Sequence, residues 1–237
     1  GGLGIVGVLA VLAIGYFTGI DVSPLLNGGG APQTQQGAPV SDSDAQATQF
    51  TAQVLATTED VWGEIFPQQL GREYVPPKLV VFSNVTQSAC GGASGATGPF
   101  YCPADEKAYI DTQFFDLLAQ RMGAGGDFAA AYVIAHEVAH HVQNELGILP
   151  KVDALRRQSS TAEANALTVR LELMADCFSG IWAKNGKGLM ERGDLDEALN
   201  AARKIGDDHL QRQAGRVPQP HTFTHGTSEQ RSSWFQR

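Results

Sequence analysis

Basic residues are scarce in this sequence. Its 237 residues include 17 Lys and Arg against 25 Asp and Glu, so that the formal net charge is -8 at pH 7. A protein that binds nucleic acid needs a basic surface to neutralise phosphates, and no nucleic-acid partner is therefore predicted. An acidic balance mainly favours solubility and by itself identifies no partner.

Cysteine is also scarce, with three residues in the chain. They form no C-x-x-C pair and no cluster with histidine, which argues against a zinc site built on cysteine. Cys90 and Cys102 flank a loop rich in Gly, Ala and Ser, so they form either a disulfide that closes the loop or two free thiols. We expect the disulfide, because the membrane anchor described next favours an oxidising compartment.

A long apolar run occurs at the N-terminus, where residues 3–20 read LGIVGVLAVLAIGYFTGI without a charge. As a helix it would rise about 27 Å, close to the bilayer core of about 30 Å. The run predicts a transmembrane anchor at residues 1–22, with the core of a signal peptide or a buried helix as alternatives. Residues 23–44 are rich in Gly, Pro, Gln and Ser and predict a flexible linker. The folded domain is expected at residues 45–237, extracytoplasmic and anchored by this single membrane pass.

The folded part has strand patterns early and helix patterns late. Short strands are predicted at residues 78–82, 98–102 and 108–111, separated by turn residues. Apolar residues at helical spacing predict helices at 127–147 and 160–185, and the second of these starts with the capping-box pattern S-x-x-E. This order predicts an α+β fold.

The most informative motif is HEVAH, which begins at His136. His136 and His140 are four residues apart, so on a helix they lie on one face and can bind the same zinc ion. Glu137 lies about 100° around the helix, where it can act on a water molecule beside the metal. Histidines in the apolar stretch AYVIAHEVAHHV would otherwise need polar partners. A zinc site is therefore predicted, with a solvated polar helix face as the alternative.

A catalytic zinc ion needs a third protein ligand and one open position. Glu172 and Asp176 stand four residues apart among apolar neighbours, where a carboxylate needs a partner. If Glu172 binds the metal, Asp176 can orient a ligating histidine through its second ring nitrogen. The alternative for these carboxylates is a salt bridge with Arg170 or Arg203. The candidates for the third ligand are Glu163, Glu172, Asp176, His209, His221 and His225.

Longer segments resemble a known family. The combination of HEVAHH with ELMAD on a second helix is similar to the Glu-ligand branch of the zincins, the gluzincins. The chain resembles more closely the neutral zinc metallopeptidase family of bacteria, of the YpfJ type. The matching segments are ACGGASGATGPFYCPADEKAYID (89–111), YVIAHEVAHHVQNELGI (132–148), RLELMADCFSGIWA (170–183), IGDDHLQR (205–212) and THGTSEQRSSWF (224–235).

The resemblance implies a zincin-like fold, in which the HExxH helix packs on a second helix that carries the glutamate ligand. It implies Zn2+ bound by His136, His140 and Glu172, with Glu137 as catalytic base and Asp176 as the residue that orients a ligand. A peptide or protein is the implied substrate. With the predicted anchor, the expected protein is a membrane-tethered zinc metallopeptidase.

In the hydrolysis of a peptide bond at such a site, Glu137 would accept a proton from the water that attacks the carbonyl carbon and return it to the leaving amine. The oxyanion needs a hydrogen-bond donor, for which His225 is the first candidate and Arg231 the second. An extended peptide could add to a free sheet edge, for which residues 108–111 are the candidate.

Two other functions stay open on the sequence. One is a zinc amidase or esterase that acts on a non-peptide substrate, which would use the same residues. The other is a non-catalytic binding module that zinc stabilises. The presence of Glu137 argues against the binding module, because a structural zinc site needs no general base and is closed by a fourth ligand.

Overall fold

The computed structural model of the protein describes residues 42–94 and 97–237. As predicted, it is an α+β structure; helices predominate and the strands are short. A π-helical turn (Phe66–Leu70) extends the first helix, and a 3-10 turn (Pro220–Thr222) precedes the last one. The helices are α1 (Asp42–Ile65), α2 (Thr112–Gln120), α3 (Asp127–Glu145), α4 (Ile148–Arg156), α5 (Thr161–Asn185), α6 (Asp194–Lys204), α7 (Asp207–Gln213) and α8 (Ser228–Gln236). The strands are β1 (Lys78–Phe82), β2 (Val85–Ser88), β3 (Gly91–Ser94), β4 (Phe100–Cys102) and β5 (Lys107–Asp111).

A mixed sheet has the strand order β1-β5-β4. β1 runs parallel to β5, with Val80 opposite Tyr109, and β4 runs antiparallel to β5 on its other side. The prediction that residues 108–111 form a free edge is therefore wrong, because β5 is paired on both sides. The sequence also did not predict the separate hairpin of β2 and β3, whose residues VTQS and GGAS lack an apolar run.

A disulfide joins Cys90, between β2 and β3, to Cys102 at the end of β4. The structure therefore contains the loop-closing disulfide that the sequence predicted, rather than two free thiols. It ties the hairpin to the sheet, and Cys102 is fully buried beside Tyr109 and Phe82.

Helix α3 lies at the centre of the helical part, and every residue from Phe128 to Gln143 is buried. Its alanines let α1, α5 and α6 pack closely around it. The helix starts after Gly126, which offers no side-chain cap, and the Glu197 carboxylate of α6 accepts the Phe128 N–H instead at 3.1 Å. It ends before Gly147, whose φ of 69° is left-handed and favours glycine.

Helix α5 packs along α3 and begins at the predicted capping box of Ser160 and Glu163. Near its C-terminal end, the fully buried Trp182 stacks on Phe128 of α3 with 5.6 Å between the ring centroids. Trp182 also donates from Nε1 to Thr57 of α1 at 3.0 Å. The Trp182 side chain thus links α5 to both α3 and α1.

The predicted transmembrane anchor, residues 1–22, lies outside the described residues, and so does the predicted linker (23–44) up to Asp42, where α1 begins. The predicted localisation, a single-pass membrane protein with an extracytoplasmic domain, is corrected by the helices that the structure describes. Within residues 42–94 and 97–237, none of them combines the length and the apolar character that a bilayer span requires. Even the long α5 carries charges such as Arg170 and Lys184.

The contact between α5 and α8 leaves no room for a side chain at Gly180. A β-carbon there would collide with the backbone carbonyl oxygen of Phe235. We expect Gly180→Ala to lower the free energy of unfolding by about 1–3 kcal/mol, the usual cost of overpacking, as measured by chemical denaturation.

Gly63→Ala is the matched control. Gly63 lies inside α1, and an added β-carbon would have no heavy atom within 4 Å, so helix propensity predicts a gain of about 0.5–1 kcal/mol. A Gly180→Ala variant as stable as the wild type would contradict the close packing of α8 on α5.

Candidate metal centre

The two histidines of the HEVAH motif and Glu172 face each other between α3 and α5. His136 Nε2 lies 3.1 Å from one carboxylate oxygen of Glu172, and His140 Nε2 lies 3.5 Å from the other. One ligand atom from each residue can be chosen so that all lie within 4.8 Å of one another. All three residues are buried. The fold therefore places Glu172 of α5 against the two histidines of α3, and the three residues can share one metal ion.

The second ring nitrogen of each histidine is held by another side chain. His136 Nδ1 lies 2.9 Å from Asp176 Oδ1. His140 Nδ1 lies 3.0 Å from Gln143 Oε1, and the Gln143 amide donates to the Leu171 carbonyl at 2.7 Å. Partners of this kind orient an imidazole so that its Nε2 lone pair faces a metal. Gln143 was missed from the sequence, although its position three residues after His140 puts it on the same side of the helix.

Burial and the neighbouring charges shift the pKa values of the carboxyl groups and imidazoles in this site. Burial raises the pKa of Glu172, but His140 and His136 outweigh it and hold this pKa well below its usual value. Burial lowers the pKa of His136, but the carboxylates of Asp176 and Glu172 raise it to about 10. Glu172 is therefore an anion at neutral pH, and a metal ion that binds at His136 Nε2 takes the place of a proton.

Glu137 is buried next to the two histidines. Burial raises the pKa of its carboxyl group, while the charges of His140 and His136 act in the opposite direction. A raised pKa brings a carboxyl group closer to the range in which it can both accept and return a proton near neutral pH. The local environment of Glu137 is thus suited to acid–base chemistry.

The C-terminal helix α8 contributes a buried arginine. Arg231 donates from Nε to Asp176 Oδ2 and from Nη2 to Asp176 Oδ1, both at 3.0 Å. The salt bridge considered for Asp176 is thus present, but its partner is Arg231 rather than Arg170 or Arg203. Because Arg231 is held in this way, with Nη1 donating to the Ile205 carbonyl at 3.3 Å, it is not free to act as the oxyanion donor proposed from the sequence.

His225 lies in the segment before α8. Its Nδ1 is 3.3 Å from Asp207 Oδ1, and Asp207 Oδ2 accepts the backbone N–H groups of Thr224, His225 and Gly226 at 2.6–2.8 Å. Burial lowers the pKa of His225, but its hydrogen bond and charge interaction with Asp207 raise it above the usual value. The charge of Glu172 acts in the same direction, so His225 lies within electrostatic range of the candidate metal ligands. No pattern in the sequence indicated that Asp207 would organise this segment.

The other candidates for a third ligand lie elsewhere. Glu163 is exposed and serves the capping box of α5, and His221 is exposed in the 3-10 turn. His209 belongs to α7 and is half-buried. Over residues 42–94 and 97–237, the buried group of metal-binding side chains is His136, His140 and Glu172.

This donor set fits zinc. Two imidazole nitrogens and one carboxylate oxygen are ligands that Zn2+ prefers, and three protein ligands leave one position open, as in catalytic sites. A second acidic group within the described part of the chain, Asp127, Asp194 and Glu197, offers only oxygen donors and is partly exposed. Glu197 is already engaged with the start of α3.

Comparison with known proteins gives relatives in two groups of bacteria. The chain is 50% identical over 237 residues to the uncharacterized protein YpfJ of Escherichia coli (strain K12). The aligned region covers 99% of this chain and 82% of that protein. It is 39% identical over 208 residues to the uncharacterized protein Rv2575 of Mycobacterium tuberculosis, covering 81% of this chain and 68% of that protein. No solved structure matches the chain.

A family profile described as "Putative neutral zinc metallopeptidase" matches residues 1–237. Its description implies Zn2+, and the His136, His140 and Glu172 group is a site of the matching kind. The cofactor predicted from the sequence is thus confirmed at the level of the family. On the match over its whole length and on these relatives, the chain belongs to the "Putative neutral zinc metallopeptidase" family.

Proposed function

We propose that the chain is a metallopeptidase in which His136, His140 and Glu172 bind the zinc ion, with residues 45–237 as the catalytic domain. The observation that carries this proposal is the convergence of two imidazole nitrogens and one carboxylate within 4.8 Å in a buried part of the fold. When bound, zinc supplies a Lewis acid that lowers the pKa of water and polarises a carbonyl group. The arrangement corresponds to the gluzincin type, with the third ligand on a second helix.

Glu137 is the proposed general base. Its neighbours in sequence and space are the proposed ligands, and burial raises the pKa of its carboxyl group. The carboxylate accepts a proton from the attacking water and transfers it to the leaving amine. A structural zinc site would have no use for such a group, so Glu137 favours an enzyme over a zinc-stabilised binding module.

His225 is the proposed donor to the oxyanion. Asp207 binds its Nδ1 side and three neighbouring backbone N–H groups, which restrains the segment and leaves Nε2 as the group that can act on a substrate. The raised pKa of His225 favours the protonated form, which is the better donor to a developing negative charge.

The first prediction from the proposed function concerns the metal and the base. Purified protein is expected to bind about one zinc ion per chain, as measured by metal analysis. Glu137→Gln keeps the shape of the side chain but cannot accept the proton, so we expect zinc to be retained while casein hydrolysis falls about 10²–10⁴-fold.

Glu145→Gln, the same change at the end of the same helix, is the control and should leave the rate unchanged. Wild-type protein that binds no zinc even after zinc addition would refute the metal site. An active Glu137→Gln variant would refute the base. Zinc binding with hydrolysis of simple amides or esters but of no peptide would favour the non-peptide amidase.

The second prediction separates a ligand from the residue that orients a ligand. Glu172→Ala removes a ligand atom, whereas Asp176→Asn keeps the three ligands and removes the negative charge that accepts hydrogen bonds from His136 and Arg231. Loss of a partner that orients a ligating histidine costs about 10–100-fold in metal affinity. We expect the larger loss of affinity for Glu172→Ala, measured by competition with a chromophoric chelator. The reverse order would assign the third ligand to Asp176.

The third prediction concerns His225. Loss of an oxyanion donor lowers kcat by about 10²–10³-fold, and we expect His225→Ala to do so with KM and zinc content unchanged. His221→Ala is the control, because His221 is an exposed histidine of the same segment. An unchanged kcat for His225→Ala, or an equal loss in the control, would remove this role.

A further inference from the structure

We propose that Arg231 is a positioning residue of the metal centre, which holds Asp176 against His136 and so makes zinc affinity depend on helix α8. This inference rests on the proposed function, since it assumes that His136 binds the metal. It adds a residue from the C-terminal helix that makes its two shortest hydrogen bonds to Asp176, while its Nη2 lies 3.5 Å from His136 Nδ1.

The contact between Arg231 and Asp176 has the geometry of a fixed fork. Nε and Nη2 each donate to a different carboxylate oxygen at 3.0 Å, and the planar guanidinium admits this pairing in one relative orientation. Nη2 also donates to the Tyr132 hydroxyl at 3.2 Å, and Nη1 to the Ile205 carbonyl at 3.3 Å. All three nitrogens are therefore engaged, and the side chain is 2% exposed.

Arg231 is the permanently charged partner of Asp176. The Asp176 side chain has 0% exposure, and its oxygens accept hydrogen bonds from Arg231, the Tyr132 hydroxyl and His136 Nδ1. A buried carboxylate that lost the arginine would remain as an uncompensated charge or take up a proton. In either case its hydrogen bond to His136 Nδ1 would change, and so would the orientation of the ring.

The contacts of helix α8 fix the position of Arg231. Arg231, Ser232 and Phe235 form its buried side, and Phe235 reaches the backbone of α5 where Gly180 leaves room. The start of the helix is fixed by Asp208, whose carboxylate accepts the Ser228 N–H at 2.7 Å. The guanidinium therefore arrives at Asp176 from a helix that is anchored at both ends.

A salt bridge that only stabilises the fold makes a different prediction. It would change the stability of the protein without a specific effect on the metal, whereas a positioning residue changes zinc affinity through Asp176. The two can be separated by measuring the zinc dissociation constant and the thermal stability of the zinc-free protein in the same set of variants.

The experiment compares Arg231→Met with the wild type by chelator competition for zinc. We expect the dissociation constant to rise about 10–100-fold, as for other residues that orient a ligating histidine. Arg231→Lys keeps the charge but cannot donate two parallel hydrogen bonds, so its dissociation constant should lie between those of the wild type and Arg231→Met. Arg157→Met is the matched control: Arg157 is an exposed arginine after the end of α4, and its loss should leave zinc affinity unchanged.

The decisive comparison repeats Arg231→Met in an Asp176→Asn background. Since Arg231 acts through Asp176, its replacement there should change the dissociation constant by less than about twofold, whereas independent effects would add in full. If Arg231→Met does not fold, the same comparison of zinc dissociation constants is made with Arg231→Lys in the wild-type and Asp176→Asn backgrounds.

The inference is overturned if the folded single variant binds zinc like the wild type, or if the effect of Arg231 is equally large with and without Asp176. Wild-type protein that binds no zinc would instead overturn the proposed function, and this inference with it.

Discussion

The rest of the site depends on the hydrogen bonds that the buried carboxylate of Asp176 accepts. Asp176 belongs to α5, and it accepts hydrogen bonds from Tyr132 and His136 of α3 and from Arg231 of α8. An ionised carboxylate in such a position is tolerated only when its donors are in place. The requirement holds three helices in one arrangement, and the position of His136 relative to Glu172 follows from it.

Charge balance explains why this arrangement suits a cation. Arg231 compensates Asp176, while Glu172 brings a further negative charge between His136 and His140, where its pKa is held low. A divalent ion at this position would offset that charge in a region that excludes most water. Glu137, buried beside the same histidines, keeps a raised pKa. One compact region thus contains an anionic ligand and a carboxyl group suited to proton transfer.

Local features of the fold were the part that sequence patterns predicted well. The alanine-rich α3, the capping box at Ser160 and the strands β1, β4 and β5 depend on neighbours close in the chain, and they occur near the predicted positions. The hairpin of β2 and β3 and the central place of β5 were missed, because strand pairing is not encoded in the composition of one strand. The membrane-spanning prediction depended on residues outside the described part of the chain, and the described helices do not provide a span.

The sequence alone determined the proposed ligands on one helix, because the spacing of His136 and His140 follows from helix geometry. It also singled out Glu172 and Asp176, since carboxylates among apolar residues need partners. Only the tertiary structure decided which partner each one meets. Asp176 pairs with Arg231, 55 residues away, and His225 pairs with Asp207. Contacts of this kind depend on how separate helices pack. No local pattern in the sequence indicates which residues of two distant helices will meet.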